Sequence, residues 1–298
     1  MTPAPLDPLA AAYLEDLARS GARPSTIDTY ATALRTITRV SGRAAGAGDF
    51  GARELAALAA APAALRSRRL WLTALRSLHR WARERGHPHS ASAAAAELPA
   101  APSARPMPLA ADAIARVRSV AMSLALDRPA LGAYFALLDG CGMRTGEPLL
   151  MSWSDVSAVL RPKRDRETRL QLTLPTSKVG ARIVPLWDIV EHGRPAAALV
   201  VPALRRWHFH SGASVGPADG SAPLLDYGRT WAQQQWCEIA RRAGVPDATP
   251  GQLRHTFACE ELTRTGDIVR VGAWMGHASI NTTIGYAQLL GMPTRPAI

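Results

Sequence analysis

Five side chains that lie far apart along this chain have the chemistry needed to break and remake a phosphodiester: Arg144, Lys178, Arg254, His277 and Tyr286. A planar guanidinium presents two parallel donors to the non-bridging oxygens of a phosphoryl group, so Arg144 and Arg254 can grip it as charge develops in a pentacoordinate transition state. Lysine, unlike arginine, gives up a proton. The chain has only two lysines among its 35 Lys and Arg residues. Lys178 stands beside Thr176, Ser177 and Gly180 at an expected turn, whereas Lys163 lies among Arg161, Arg164 and Arg166 in what reads as a solvated loop. A phenol with an ordinary pKa near 10 is a poor nucleophile at neutral pH unless cations stabilise its anion. Read singly, each arginine of so Arg-rich a chain is equally a surface residue, Lys178 an exposed turn residue and Tyr286 a core residue.

Three segments carry a resemblance that none of these residues has alone. The first is Gly142-Met143-Arg144-Thr145-Gly146-Glu147, followed by Leu149, Leu150, Trp153, Ser154, Asp155 and Val156. The second is Thr249-Pro250-Gly251-Gln252-Leu253-Arg254-His255-Thr256-Phe257-Ala258, and the third is Trp274-Met275-Gly276-His277 with Thr282, Thr283 and Tyr286 beyond it. In order and spacing, over about residues 139–289, these resemble the tyrosine recombinases of the phage-integrase kind. The resemblance implies a DNA breaking-rejoining enzyme fold: a mainly α chain with an N-terminal helical core-binding (SAM-like) domain and an α+β catalytic domain holding a small antiparallel sheet. It implies Arg144 and Arg254 as a phosphate clamp, Lys178 as the acid that protonates the departing 5′ oxygen, and His277 as a hydrogen-bond donor to the phosphate. Tyr286 becomes the nucleophile that forms a 3′-phosphotyrosine. That linkage retains the energy of the broken phosphodiester, so no metal, nucleotide or other cofactor is implied. Glu147 and His255 are expected in supporting roles, Glu147 for local structure or an active-site cation.

One position departs from the pattern. The family usually has a histidine three residues before its second arginine, and here that residue is Gly251. His255 adjoins Arg254, but one step along a helix turns a side chain by about 100°, so His255 is not expected to stand in. Loss of one acid–base group lowers a rate by roughly 10² to 10⁴, which suits a slowed or specialised enzyme. A type IB topoisomerase and a DNA-binding factor with impaired catalysis are the alternatives.

The elements that must position these residues are legible around them. Asp7 caps a first helix that begins at Pro8 and buries Leu9, Tyr13, Leu14 and Leu17 up to Gly21. A second is expected from Ser25, with Asp28 completing a capping box, to Gly42. A third, about residues 63–85, puts Leu70, Trp71, Ala74, Leu75, Leu78, Trp81 and Ala82 on one face and Arg69, Arg76, Arg80 and Arg83 on the other. Only Glu84 offsets that arginine face, which makes it a candidate for DNA phosphate contact. Ala93 to Ala96 and then Pro99, Pro102, Pro106 and Pro108 mark a boundary. The expected division is therefore a DNA-binding domain over 1–88, a semi-extended linker over 89–108 and a catalytic domain over 109–298. Within the last, helices are predicted over 110–126, 129–138, 231–243, 250–263, 267–275 and 279–290. Leu170, Leu172 and Leu174 alternate with polar residues, and Arg182 to Leu186 supply an antiparallel partner strand across a turn.

The 298 residues suffice for two domains, and a net charge of +11 favours a polyanion such as double-stranded DNA. Cys141, Cys237 and Cys259 form no CxxC pair, and His87, His89, His208 and His210 have no third ligand at metal-site spacing. With Asp7, Glu15 and Asp16 near the start and no apolar run of membrane length, a soluble cytoplasmic protein is expected. The family assembles a tetramer on DNA, commonly by passing a C-terminal helix to a neighbour. Gly291, Pro293 and Pro296 suit a flexible strand better than such a helix.

Overall fold

The computed structural model describes residues 6–100, 107–160, 171–174, 181–193, 198–212 and 221–292. The chain divides into two compact units, Met1–Ala104 and Arg105–Ile298.

The first unit is helical: α1 Pro8–Arg19, α2 Pro24–Ser41, α3 Ala52–Ala60, α4 Leu65–Glu84 and α5 Ala91–Ala95. Asp7 caps α1 by accepting from the Ala10 amide. The second helix starts one residue before the expected Ser25, with Pro24 at its first position and no side-chain cap. Proline serves there because its missing N–H would have no helical acceptor. Tyr13, Leu34, Ile37, Leu58, Leu75 and Leu78 form the core. His79 on α4 is fully buried, and its ring links the Ala45 carbonyl at 2.9 Å to the Ser90 amide at 3.1 Å. The expected linker over 89–108 starts inside this unit: Ser90 caps α5, and Ala93 and Ala96 sit in the core. Methyl groups that looked like low complexity are there what a close helix contact requires.

The second unit is built around α7, Pro129–Cys141, which is buried along almost its whole length. A helix apolar on all sides belongs at the centre of its domain, and α6 (Ala111–Asp127), α10 (Val200–Ser211) and α12 (Gly251–Thr265) all pack on it. Strands β1 (Gln171–Leu174) and β2 (Arg182–Pro185) pair antiparallel, with Leu172 opposite Val184 and Leu174 opposite Arg182. A short α8 (Ser157–Leu160) precedes the sheet; α9 (Leu186–His192) and α10 were not expected from periodicity, whereas α11 (Arg229–Arg242) starts two residues before the expected 231. The last helices are α13 (Ile268–Met275) and α14 (Ile280–Leu289). Asp267 caps α13, and the Trp274 indole donates to Asp188 on α9 at 2.6 Å. Among the described residues no helix is long and apolar enough to cross a membrane.

Candidate active site

The three sequence boxes converge in the second unit because backbone turns at Gly142 and Gly276 allow it. Gly142 ends α7 at φ +58°, and a Cβ there would lie 2.5 Å from the Phe257 ring. Only glycine permits both that left-handed turn and the approach of α12. Arg144 follows immediately. Its amide and its guanidinium each donate to Glu147 at 2.8 Å, so one carboxylate orients backbone and side chain together.

Arg254, 8% exposed on α12, reaches in two directions. Its Nη1 donates to the Gly142 carbonyl at 2.6 Å and its Nη2 to the Met275 carbonyl at 2.7 Å. Helix ends leave carbonyls unpaired, and this guanidinium satisfies one at the end of α13 while joining the first box to the third. Five N–H donors are available on arginine, so these two bonds leave three for a ligand.

His277 and Tyr286 come from the turn after α13 and from α14. Gly276, at φ +62°, redirects the chain, and His277 Nδ1 lies 2.8 Å from Thr283 Oγ1. Tyr286 stands three residues beyond Thr283 on the same helical face. Its ring is parallel to that of His277 within 3°, with centroids 6.1 Å apart. The phenol oxygen is 2.7 Å from His255 Nδ1. His255, expected only in a supporting role, thus contacts the phenol oxygen directly.

A third guanidinium enters the cluster from β2. Arg182 donates to Glu147 at 3.1 Å and to the Trp274 carbonyl at 3.1 Å, with its side chain only 10% exposed. Its Nε is buried without a hydrogen-bond partner. A Cβ on Gly276 would fall 2.7 Å from that nitrogen, so the glycine lies directly over it. Sequence reasoning missed Arg182, although a signal existed. Strand alternation puts Arg182 on the same face as the buried Val184, while Ile183 faces out, and a cation on a buried face demands a partner.

Arg144, Arg182 and Arg254 therefore surround the single carboxylate of Glu147, an excess of positive charge among the described residues. Burial alone would raise the Glu147 pKa, but Arg182 and then the Arg144 amide and guanidinium hold it below the usual carboxylate range. Burial, reinforced by Arg144, brings Arg254 down to about 9. Burial, with the same three arginines, brings His277 down to about 4. At Tyr286 burial raises the pKa while Arg254 and Arg144 oppose it. Uncompensated positive charge around a neutral imidazole and a phenol is a site prepared for an anion.

The His277 shift has a consequence for stability. The unfolded chain takes up its proton near 6.5 and the folded chain only near 4, so folding is favoured fully above about 6.5 and progressively less as pH falls toward 4. His277→Gln is expected to flatten part of the decline in melting temperature across that interval. An unchanged slope would show that His277 does not titrate as placed.

Lys178 and its neighbours lie outside the described residues, so the ammonium is not located. On α4, Arg69 donates to the Pro99 carbonyl and Arg80 to the Ala94 carbonyl at 3.3 Å. Two of the four arginines expected to face a partner are thus turned toward their own chain, because the 91–99 segment folds against α4 and supplies carbonyl acceptors. Arg83 is exposed and Arg76 half-buried. Among the described residues no group of three His, Cys, Asp or Glu is placed to hold a metal, and none of the three cysteines is in a disulfide.

The chain is similar to tyrosine recombinase XerC of Rhodospirillum centenum, with 30% identity over 294 residues covering 90% of this chain and 79% of that protein. It is also similar to tyrosine recombinase XerC of Brucella suis biovar 1, with 32% identity over 220 residues covering 72% of this chain and 65% of that protein, just under two thirds of its length. No protein-family model matches. Among solved structures, a lambda integrase dimer bound to a COC′ core site superposes with a TM-score of 0.69 at 19% identity, over 98% of this chain and 99% of that one. XerH site-specific recombinase bound to difH superposes with a TM-score of 0.61 at 15% identity, over 93% and 81%. These likenesses establish the fold: mainly helical, with a small antiparallel sheet.

Proposed function

This chain belongs to the tyrosine recombinase family, and from that premise we propose that it is a site-specific recombinase that cuts and rejoins duplex DNA through a covalent bond to Tyr286. The observation that carries the proposal is the position of one phenol: buried, hydrogen-bonded to His255 at 2.7 Å, stacked near His277, and close enough to Arg254 and Arg144 for both to oppose the rise in pKa that burial causes.

In the proposed reaction Arg144 and Arg254 bind the non-bridging oxygens of the scissile phosphate. Glu147 and Arg182 keep the Arg144 guanidinium in place. The phenol oxygen of Tyr286 attacks phosphorus, the bond to the 5′ oxygen breaks, and that oxygen takes a proton from Lys178. His277 donates a hydrogen bond to the phosphoryl oxygens, which become more basic as charge accumulates. A 5′ hydroxyl from a second duplex then attacks the phosphotyrosine, restoring the phenol and a recombined strand. Energy stays in the phosphoester throughout, so no cofactor takes part.

The partner in this reading is double-stranded DNA inside the cell. A lambda integrase tetramer bound to a Holliday junction shares the fold, at a TM-score of 0.67, which supports four copies of this chain at a synapse. Pro293 and Pro296, on which the expectation about C-terminal exchange rests, lie outside the described residues. The test is strand exchange: two labelled duplexes carrying the sequence that the chain binds are expected to yield recombinant strands with no metal or nucleotide added. Relaxation of any supercoiled plasmid without exchange would point to a topoisomerase, and binding without cleavage to a non-catalytic factor.

A further inference from the structure

Gly251 opens α12, exposed and with nothing closer to its Cβ position than Thr249 Oγ1 at 3.9 Å. It contributes no acid, base or hydrogen bond. Four residues on, His255 lies about 40° round the helix from position 251, because four steps of 100° nearly complete a turn. The two positions therefore face the same way, one turn apart. Comparing His255 with its neighbour Arg254 instead gives a divergence of about 100° and hides this relation.

We propose that His255 is a catalytic residue of this enzyme, accepting the phenolic proton of Tyr286 at Nδ1 as the phosphotyrosine bond forms. The inference rests on the reading of Tyr286 as nucleophile. Geometry carries it: the two atoms are 2.7 Å apart in a half-buried pocket, within the range in which a general base must lie from the proton that it takes. Charge sets the resting protonation, from which the forming bond to phosphorus must drive the transfer. Burial and then Arg254 lower the pKa of His255, while burial raises that of Tyr286. At rest the phenol keeps its proton and donates to a neutral ring, which carries its own hydrogen on Nε2.

The step balances without any other reactant. The Tyr286 O–H bond breaks and its proton passes to His255 Nδ1 as Oη bonds to phosphorus and the bond to the 5′ oxygen breaks. The departing oxygen takes its proton from Lys178. In the reverse direction the incoming 5′ hydroxyl returns a proton to that amine and attacks phosphorus, and the His255 imidazolium reprotonates Tyr286 as it leaves. The charged and titratable groups facing the pair are Arg254 and Cys259 on α12, Arg144 after α7, and His277 before α14.

The test uses the full chain and a nicked suicide duplex recovered from a random-sequence pool by covalent capture on the unaltered protein. His255→Ala and His255→Asn, each confirmed folded by circular dichroism, are compared with the unaltered chain for the rate of adduct formation between pH 6 and pH 9. Asparagine places an amide oxygen near the Nδ1 position and keeps the hydrogen bond, but it cannot take the proton. Both variants are expected to be slower by about 10²-fold or more near neutrality, and to recover as rising pH ionises the phenol directly. A rate for His255→Asn within about threefold of the unaltered chain near neutrality overturns the proposal, since general bases contribute far more than that. A loss that is the same at every pH also overturns it, because a merely positioning residue has no such titration. If the unaltered chain captures no DNA, the recombinase reading fails and this inference with it; if it does, the variants alone decide.

Discussion

Tyr286→Phe is expected to leave a folded protein that forms no covalent DNA adduct at all. The chain has five tyrosines, and their surroundings separate them. Burial pushes Tyr13 and Tyr134 up to about 12, and no guanidinium is among the groups that act on either. At Tyr286 two guanidinium groups oppose burial. Tyr30 stacks on Tyr13 and Tyr227 on Trp231, with ring centroids 6.5 and 4.3 Å apart. Removing the Tyr286 hydroxyl keeps the ring beside His277 and leaves one ring nitrogen of His255 without its partner, a cost of about 1 to 3 kcal/mol. The melting temperature should therefore fall by a few degrees while cleavage disappears. Denaturing gels of suicide-duplex reactions read the adduct, and a wild-type amount of adduct in the variant would assign the nucleophile to another residue.

Arg254→Ala is expected to produce the second largest effect, and on two readouts at once. Cleavage should fall by about 10²- to 10³-fold, the range for removing one pre-organised donor from a developing oxyanion. Stability should fall too, because the carbonyls of Gly142 and Met275 lose the donors that join the first and third boxes, at about 1 to 3 kcal/mol for each buried acceptor left unpaired. Arg254→Lys separates the two contributions. An ammonium retains the charge, but it has no planar fork with which to hold both carbonyls and still face a phosphate. It should recover part of the duplex affinity and little of the cleavage rate. Single-turnover rates and thermal melts on the three proteins check this, and full recovery of cleavage by lysine would show that charge alone is required at this position.

Capping chemistry and periodicity made much of the fold readable beforehand. Asp7 and Pro8 start α1 as their types dictate, and Leu172 and Leu174 turn inward on β1 by alternation. The expected bounds of α6, α7 and α11 to α14 lie within a few residues of those observed. Elements without a local signature were harder. The α3 segment is short and Ala-rich, with a glycine cap, and α5 sits inside a stretch whose alanines and prolines look like a linker. Tertiary contact decides such segments, because each helix is too short to be stable by itself.

The amino-acid sequence by itself determined the family and the order of the three boxes, and it singled out Arg144, Arg254, His277 and Tyr286 as the candidates, since each box is a short local pattern in which neighbours along the chain constrain one another. Only the tertiary structure decided which charges meet. Arg182 shares the Glu147 carboxylate across 35 residues of chain, and His255 meets Tyr286 across 31. Arg69 and Arg80 spend donors on their own backbone. Helical periodicity says which face a side chain occupies, but the element that lies against that face is set by long-range packing, and a charge or an imidazole acquires its chemistry from the partner it finds there.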